Sequence, residues 1–457
     1  MNVSDGYVRI KDSVSKHPFL IIAAVGLIIR AVLIPLFTYS YDVYHWALVT
    51  QHLRSGNGLY GLPGYYYTPV WGYLLAVIGA AAEVLGIAEF GRLFPPLLFV
   101  EDIDWEYLRA VMCSPAYTIL VKSVLTVFDF ITGCLIYAMV KEHTDDSRKA
   151  SLAFALWFLC PIVIYTTAVH AMFDVFSALT TVLTLFLLLR RRYFLGGAVY
   201  SVAVFTKFFP AYLLPIFLVL IIKQEKESKK RNESVLAAIL GFVLMFVLIF
   251  LPHILTGSFV DTFNFVTTRI DVIGSEPESE GMWSSILSVG YAVVLCVQVL
   301  TISIIFYLAY KTLKLKEEGS EFLSKYMFRL MICTAVIFLW TPTPTYLVIL
   351  IPFLAYVIAT GRKEYAISYV IISVSALLYS IAMHNYSLLF QLYGYFGLVG
   401  ADFLRTGVLW LDAPLLGVTR QFVINVILGA AETIGLYSIY YVTYKKYSRK
   451  HPRGEPV

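Results

Sequence analysis

Directly after its first long apolar run the chain carries a polar island, Tyr39 to Pro69, reading YSYDVYHWALVTQHLRSGNGLYGLPGYYYTP. It holds one carboxylate, Asp42, with Tyr44, His45, His52 and Arg54 close behind and a dense set of tyrosines that includes Tyr67. A carboxylate within hydrogen-bond reach of a hydroxyl can take its proton, an effect worth about 10²–10⁴ in rate. Aspartate is also a good helix cap, so residue type alone leaves both roles open. Asp42 sits a few residues past the apolar run, at headgroup depth if that run crosses a membrane. Loops held by a rigid scaffold are where chemistry concentrates.

Other candidates lie far downstream. His170 and Asp174 stand in HAMFDVFSAL, with Asp174 opening an apolar run. Lys207 stands in VFTKFFPAYLLP, among phenylalanines. A cation at the centre of a membrane span costs about 2.5–3.5 kcal/mol and less near the interface, where it can snorkel. A phosphate would offset that cost more fully, and lysine is a good point-charge partner for one. Thr345 and Tyr346 lie in a Pro-rich turn, WTPTPTYLVIL. Asp102 and Asp104 form an Asp-x-Asp that could hold Mg²⁺ or Mn²⁺, though an amphipathic surface turn explains them as well. Arg30, Lys122 and Asp129 fall inside apolar runs. Lys122 and Asp129 are seven residues apart on one face, with partners expected on other helices.

The elements that position these residues are membrane helices. Of 457 residues 59% are hydrophobic and 14% charged, with a mean hydropathy of +0.76, whereas soluble domains carry roughly 25% charged residues. Apolar runs occur near 18–37, 116–139, 150–168, 174–190, 194–208, 210–223, 235–252, 286–309, 326–341, 345–361, 364–383 and 421–444. A crossing helix needs about 20 such residues. The expected fold is therefore an all-α, polytopic integral membrane bundle of about twelve spans, one unit over 1–457. Every second loop is basic, which puts both termini in the cytoplasm. The net charge of +5 comes from those loops and implies no nucleic-acid partner. The run Val70–Gly86 breaks the rhythm. It is read as a helix dipping into the membrane, with Leu93–Val100 beside it, inside an external region 38–115. The five cysteines show no disulfide or zinc spacing.

The order Asp42, Tyr44, then Gly58 with Tyr60, then Tyr65, Tyr67, Thr68 and Pro69 resembles polyprenyl-phosphate-mannose-dependent mannosyltransferases of the GT-C fold, including the catalytic subunit of GPI mannosyltransferase I. The segments around Asp174, Lys207 and Thr345–Tyr346 are similar to later motifs of related enzymes, although His170 and Met172 depart from the pattern. The resemblance implies a GT-C-like membrane glycosyltransferase. It would take a hexose, most readily mannose, from a polyprenyl- or dolichyl-phosphate carrier. It would pass it, with inversion, to a glycan or lipid-linked glycan on the external or lumenal face. Asp42 would be the base and Lys207 would hold the donor phosphate. Tyr44, His45, Tyr67, His170, Asp174, Thr345 and Tyr346 would line the substrate site. No cofactor is obligatory, since the donor has no nucleotide pyrophosphate. A multi-pass transporter or lipid-glycan flippase is the alternative that composition fits equally well.

Overall fold

The computed structural model describes residues 18–62, 64–96, 109–263, 282–338 and 343–450. Each apolar run forms a helix, because backbone groups facing lipid must bond within their own segment. Six helices among the described residues are long and apolar enough to cross a membrane, or seven if one bent pair counts as a span. They include Pro18–Leu36, Pro115–Thr144, Ser228–Leu255 and the segment Arg420–Lys446. The chain is a multi-pass membrane protein, but this number falls short of the expected twelve. The reason is local. Asp174–Leu189 and Tyr193–Thr206 have 16 and 14 residues, stopped by the arginines at 190–192 and by Lys207. The following helix starts only at Leu214.

Within the bundle, Tyr193–Thr206 packs against Ser228–Leu255 and Asp174–Leu189, and Ala366–His384 against Arg420–Lys450. The first of these crossings needs glycine. A Cβ on Gly197 would lie 1.9 Å from the Ala238 carbonyl oxygen, and one on Gly241 1.9 Å from that of Phe194. Small residues let membrane helices approach backbone to backbone.

The polar island folds as a helix, Ser40–Arg54, a loop rich in tyrosine, and a second helix, Pro69–Val84. Two small strand pairs accompany the helices without changing the all-α class. Gly91–Pro96 and Arg109–Cys113 pair antiparallel, with Leu93 opposite Val111, so Leu93 partners a strand and not the 70–86 run. Pro414–Leu415 and Val418–Thr419 form a second small hairpin. Asp102 and Asp104 lie outside the described residues.

Two of the buried cations inside the bundle, Arg30 and Lys122, are answered by other helices. Arg30 donates through Nε to Asp129 Oδ2 at 2.8 Å and also through a terminal nitrogen. Its guanidinium lies 4.1 Å over the Phe158 ring. Lys122 donates to the carbonyls of Phe37 (2.6 Å) and Ile34 (3.2 Å) and to Thr38 Oγ1 (2.8 Å). Those carbonyls end the first helix and have no intrahelical partner, and the cation also suits the negative end of that helix dipole.

Candidate functional site

The segment that carries His170 is irregular for a reason visible in the sequence. Pro161 cannot continue the preceding helix, and the two halves, Ser147–Phe158 and Pro161–His170, meet at 52°. The second half ends in a π-helical turn, Tyr165–His170, closed by Met172 N–H donating to the Thr166 carbonyl. Ala171 then takes φ +62°, an uncommon conformation for a residue with a Cβ. Single π turns mark functional positions disproportionately. Here the turn swings His170 off the helix path and towards Asp42.

Asp42 lies in the first turn of Ser40–Arg54. His170 Nε2 stands 2.7 Å from Asp42 Oδ2. The carboxylate can only accept, so the ring donates from Nε2. His170 Nδ1 is buried with no hydrogen-bond partner. The histidine is 7% exposed and the aspartate 35%, so the pair opens outward on its carboxylate side. His384 packs edge-on against His170, ring centroids 4.2 Å apart, and Tyr39 stacks on His384 at 3.8 Å. His384 Nδ1 in turn meets the Tyr165 hydroxyl at 2.5 Å.

A second charged pair lies beside the first. Lys207 is the residue at which Tyr193–Thr206 ends, and its backbone is extended. Its Nζ is 3.4 Å from Asp174 Oδ1, with the side chains 8% and 0% exposed. Three rings surround the ammonium: Phe173 at 4.6 Å, Tyr346 at 4.8 Å and Tyr67 at 5.4 Å. Aromatic faces attract a cation, more strongly when it is desolvated. Nearby, the hydroxyl of buried Thr345 has no hydrogen-bond partner.

The tyrosines of the island are mostly scaffolding. Tyr60 donates to the Tyr67 carbonyl and Tyr65 to that of Thr68. Thr68 donates to the Phe205 carbonyl, two residues before Lys207. These bonds hold Tyr67 between the two charged pairs. Burial raises its hydroxyl to about 12, with Lys207 pulling the other way and Asp42 adding to the rise.

Of the residues singled out from sequence, Asp42 and His170 meet directly. Asp174, Lys207, Tyr67 and Tyr346 form the adjoining cluster. His45 is on the Asp42 helix; burial lowers its pKa below the ordinary imidazole value, partly countered by Asp42 and by a hydrogen bond with the Gly64 backbone. Tyr44 points elsewhere, towards the hairpin, 2.9 Å from where a Cβ on Gly91 would stand. His52 bonds its own loop at the Gly58 carbonyl, and Arg54 pairs with Glu83. The sequence reading missed Tyr39, Tyr165 and Phe173, and it noted His384 only as an ionisable residue of the outer face. The usable signal for His384 was a histidine ending an apolar run. Among the described residues no group of three or more His, Cys, Asp or Glu side chains could hold a metal.

A many-helix membrane bundle with two adjacent charged pairs at helix ends defines the class: a multi-pass membrane protein with a polar site among its helix termini. The match to known families is more particular. The model of the family described as PIG-U, GPI transamidase subunit PIG-U, matches residues 95–273. No curated protein matches the chain.

That match corrects the sequence-based expectation of function. A GPI transamidase subunit is not a sugar transferase, so hexose transfer, the polyprenyl-phosphate-sugar donor and the glycan acceptor are withdrawn. The transporter or flippase alternative fits no better. The loop that carried the mannosyltransferase resemblance, about thirty residues up to Pro69, lies wholly outside 95–273. Function belongs to sites grafted on folds, and a headgroup-level loop after a first span serves any protein that handles a membrane glycolipid.

Proposed function

We propose that this chain is a substrate-holding membrane subunit of a GPI transamidase-type assembly, in which another subunit carries out the amide exchange. The observation that supports it is the family match over 95–273, because that stretch contains His170, Asp174 and Lys207. A transamidase passes an acyl group from one amine to another, so the incoming partner is an amine on a lipid-anchored glycan. Asp42 is a half-exposed carboxylate oriented by His170, suited to accept from an ammonium or from sugar hydroxyls. Lys207, whose ammonium lies 5.4 Å from the Tyr67 ring, offers a cation for a phosphate of the same lipid.

This reading keeps a GT-C-like bundle of about twelve helical segments as one unit, 1–457. It also keeps both termini cytoplasmic, with 38–115 and the site on the external or lumenal side. The basic-loop alternation supports that orientation.

The test is purification of the tagged full chain from its native membranes in mild detergent. Transfer of a peptidyl group to an amine-bearing lipid is then assayed. We expect activity in the complex and none in the chain stripped of partners. A chain that purifies alone, or that performs the transfer alone, overturns the proposal.

A further inference from the structure

Residues 396–418 lie between two segments that qualify as membrane spans, Lys363–Gly394 and Arg420–Lys446. The connection therefore leaves and re-enters the bilayer on one side. It holds a helix, Ala401–Asp412, and the hairpin 414–419. On the helix, Leu404 and Val408 are buried. One step round the wheel, Phe403, Gly407 and Trp410 follow at i, i+4 and i+7, a single stripe. Phe403 is 64% exposed and Trp410 54%. Asp402, Arg405, Thr406 and Asp412 occupy the remaining arc, with exposed Leu409 among them.

The hairpin gives an independent indication. Its two turn residues, Leu416 and Gly417, have φ of +55° and +82°. A two-residue turn with both φ positive prefers Asn-Gly or Asp-Gly, and a bulky residue with positive φ is an outlier. Leu416 is nonetheless 88% exposed, so no packing within the chain holds it there. Strain of that kind persists where it serves a function. Arg420 supports the same edge, with its guanidinium 5.0 Å over the Trp410 ring and a bond to the Trp410 carbonyl at 3.4 Å. Trp and Arg together are the residues expected at a membrane–water boundary.

We propose that 396–418 is an interfacial platform, with Phe403, Trp410 and Leu416 seated at the headgroup–acyl boundary of the bilayer that the chain spans. A helix with one apolar stripe lies in that plane with the stripe buried about 5–10 Å. The platform is tied to the candidate site: a small cluster of buried residues, Met112, Phe390 and Leu404, carries Tyr41 packed on it, and Tyr41 precedes Asp42. Seating the platform therefore sets the depth of Asp42.

The test uses the full chain with Cys296→Ser and Leu416→Cys, labelled with an environment-sensitive nitrobenzoxadiazole dye in phosphatidylcholine nanodiscs. The expected result is emission shifted to shorter wavelength and quenched several-fold by lipids brominated high in the acyl chain. A dye placed by Ser55→Cys should stay water-like. Leu416→Asn suits the turn and should leave folding intact while reducing the quenching of a dye at Trp410→Cys. Water-like, unquenched emission at 416 overturns the proposal. So does shifted emission that bromine does not quench, because protein and not lipid then covers the tip.

Discussion

His170 donates to Asp42 at 2.7 Å across 128 positions of sequence. The contact requires two special local structures: the first turn of Ser40–Arg54 on one side and the π turn closed by Ala171 on the other. A carboxylate held by a buried imidazole is fixed in direction and keeps an oxygen for a ligand. Asp42→Asn preserves shape but removes the charge. Hydrogen bonds to charged groups contribute about 1.5–3 kcal/mol, so the variant should bind an amine-bearing glycolipid roughly 10- to 100-fold more weakly. Its thermal unfolding should change little. Unaltered affinity in a lipid-binding titration removes Asp42 from the site.

Arg30 and Asp129 form a buried ion pair in the bundle interior, 1% and 0% exposed. Breaking such a pair leaves an uncompensated charge and costs about 3–5 kcal/mol, whereas replacing both partners by apolar residues can be neutral. Asp129→Leu alone should lower the unfolding temperature in detergent sharply. Arg30→Met together with Asp129→Leu should recover most of the loss. A double variant as unstable as the single one would show that the cost lies in packing against Phe158, not in charge.

Much of this was legible in the sequence, and what was not has a common cause. The apolar runs announced helices, and lone charges within them announced partners, as Lys122 bore out by ending the first helix. Asp42, His170, Asp174 and Lys207 stood out because each is a polar group next to a long apolar stretch. Which of them meet was not readable, since the pairings join segments more than a hundred residues apart or depend on backbone departures at Ala171 and Lys207. Tyr44 was misplaced for a similar reason: two positions along a helix turn a side chain to another face, and that face meets the hairpin. The short helices Asp174–Leu189 and Tyr193–Thr206 read as full-length apolar runs because hydropathy sees apolar length but not where Arg190 or Lys207 stops the helix. The thirty-residue loop pointed to a chemistry that the match over 95–273 does not share.

His45 predicts a pH dependence. Its folded pKa is lowered by burial, below the ordinary value of about 6.5 that the unfolded chain retains. The unfolded state therefore binds the proton first, and stability falls as pH drops through that value. The loss levels off once the folded form also protonates. His45→Gln should flatten this part of the profile between pH 7 and 5, measured by unfolding temperature. An unchanged profile would assign the slope to other groups.

Orientation can be checked at two exposed positions. Cysteines introduced at Ser55 and at Glu318 should react with an impermeant maleimide from opposite sides of sealed vesicles. The expectation follows from the basic-loop alternation, on which 318 would be cytoplasmic and 38–115 external. Labelling of both from one side would reverse the placement of the site.

The Lys207–Asp174 pair separates a ligand site from a structural one. Both side chains are buried, and Asp174 has no hydrogen bond to either oxygen beyond its 3.4 Å approach to the ammonium. If the pair only balances itself, Lys207→Met strands a buried carboxylate and destabilises by about 3–5 kcal/mol. Adding Asp174→Leu should then restore both stability and function. If Lys207 also holds a phosphate of the substrate, the double variant regains its unfolding temperature but not its affinity for a phosphate-bearing glycolipid. The aromatic cage of Tyr67, Phe173 and Tyr346 favours the second outcome, because three rings within 5.4 Å stabilise the ammonium beyond its pairing with Asp174. Lys207→Arg should be only partly tolerated, since a planar guanidinium does not fit a space shaped for a compact charge. Full recovery of binding in the double variant would leave Lys207 with a structural role alone.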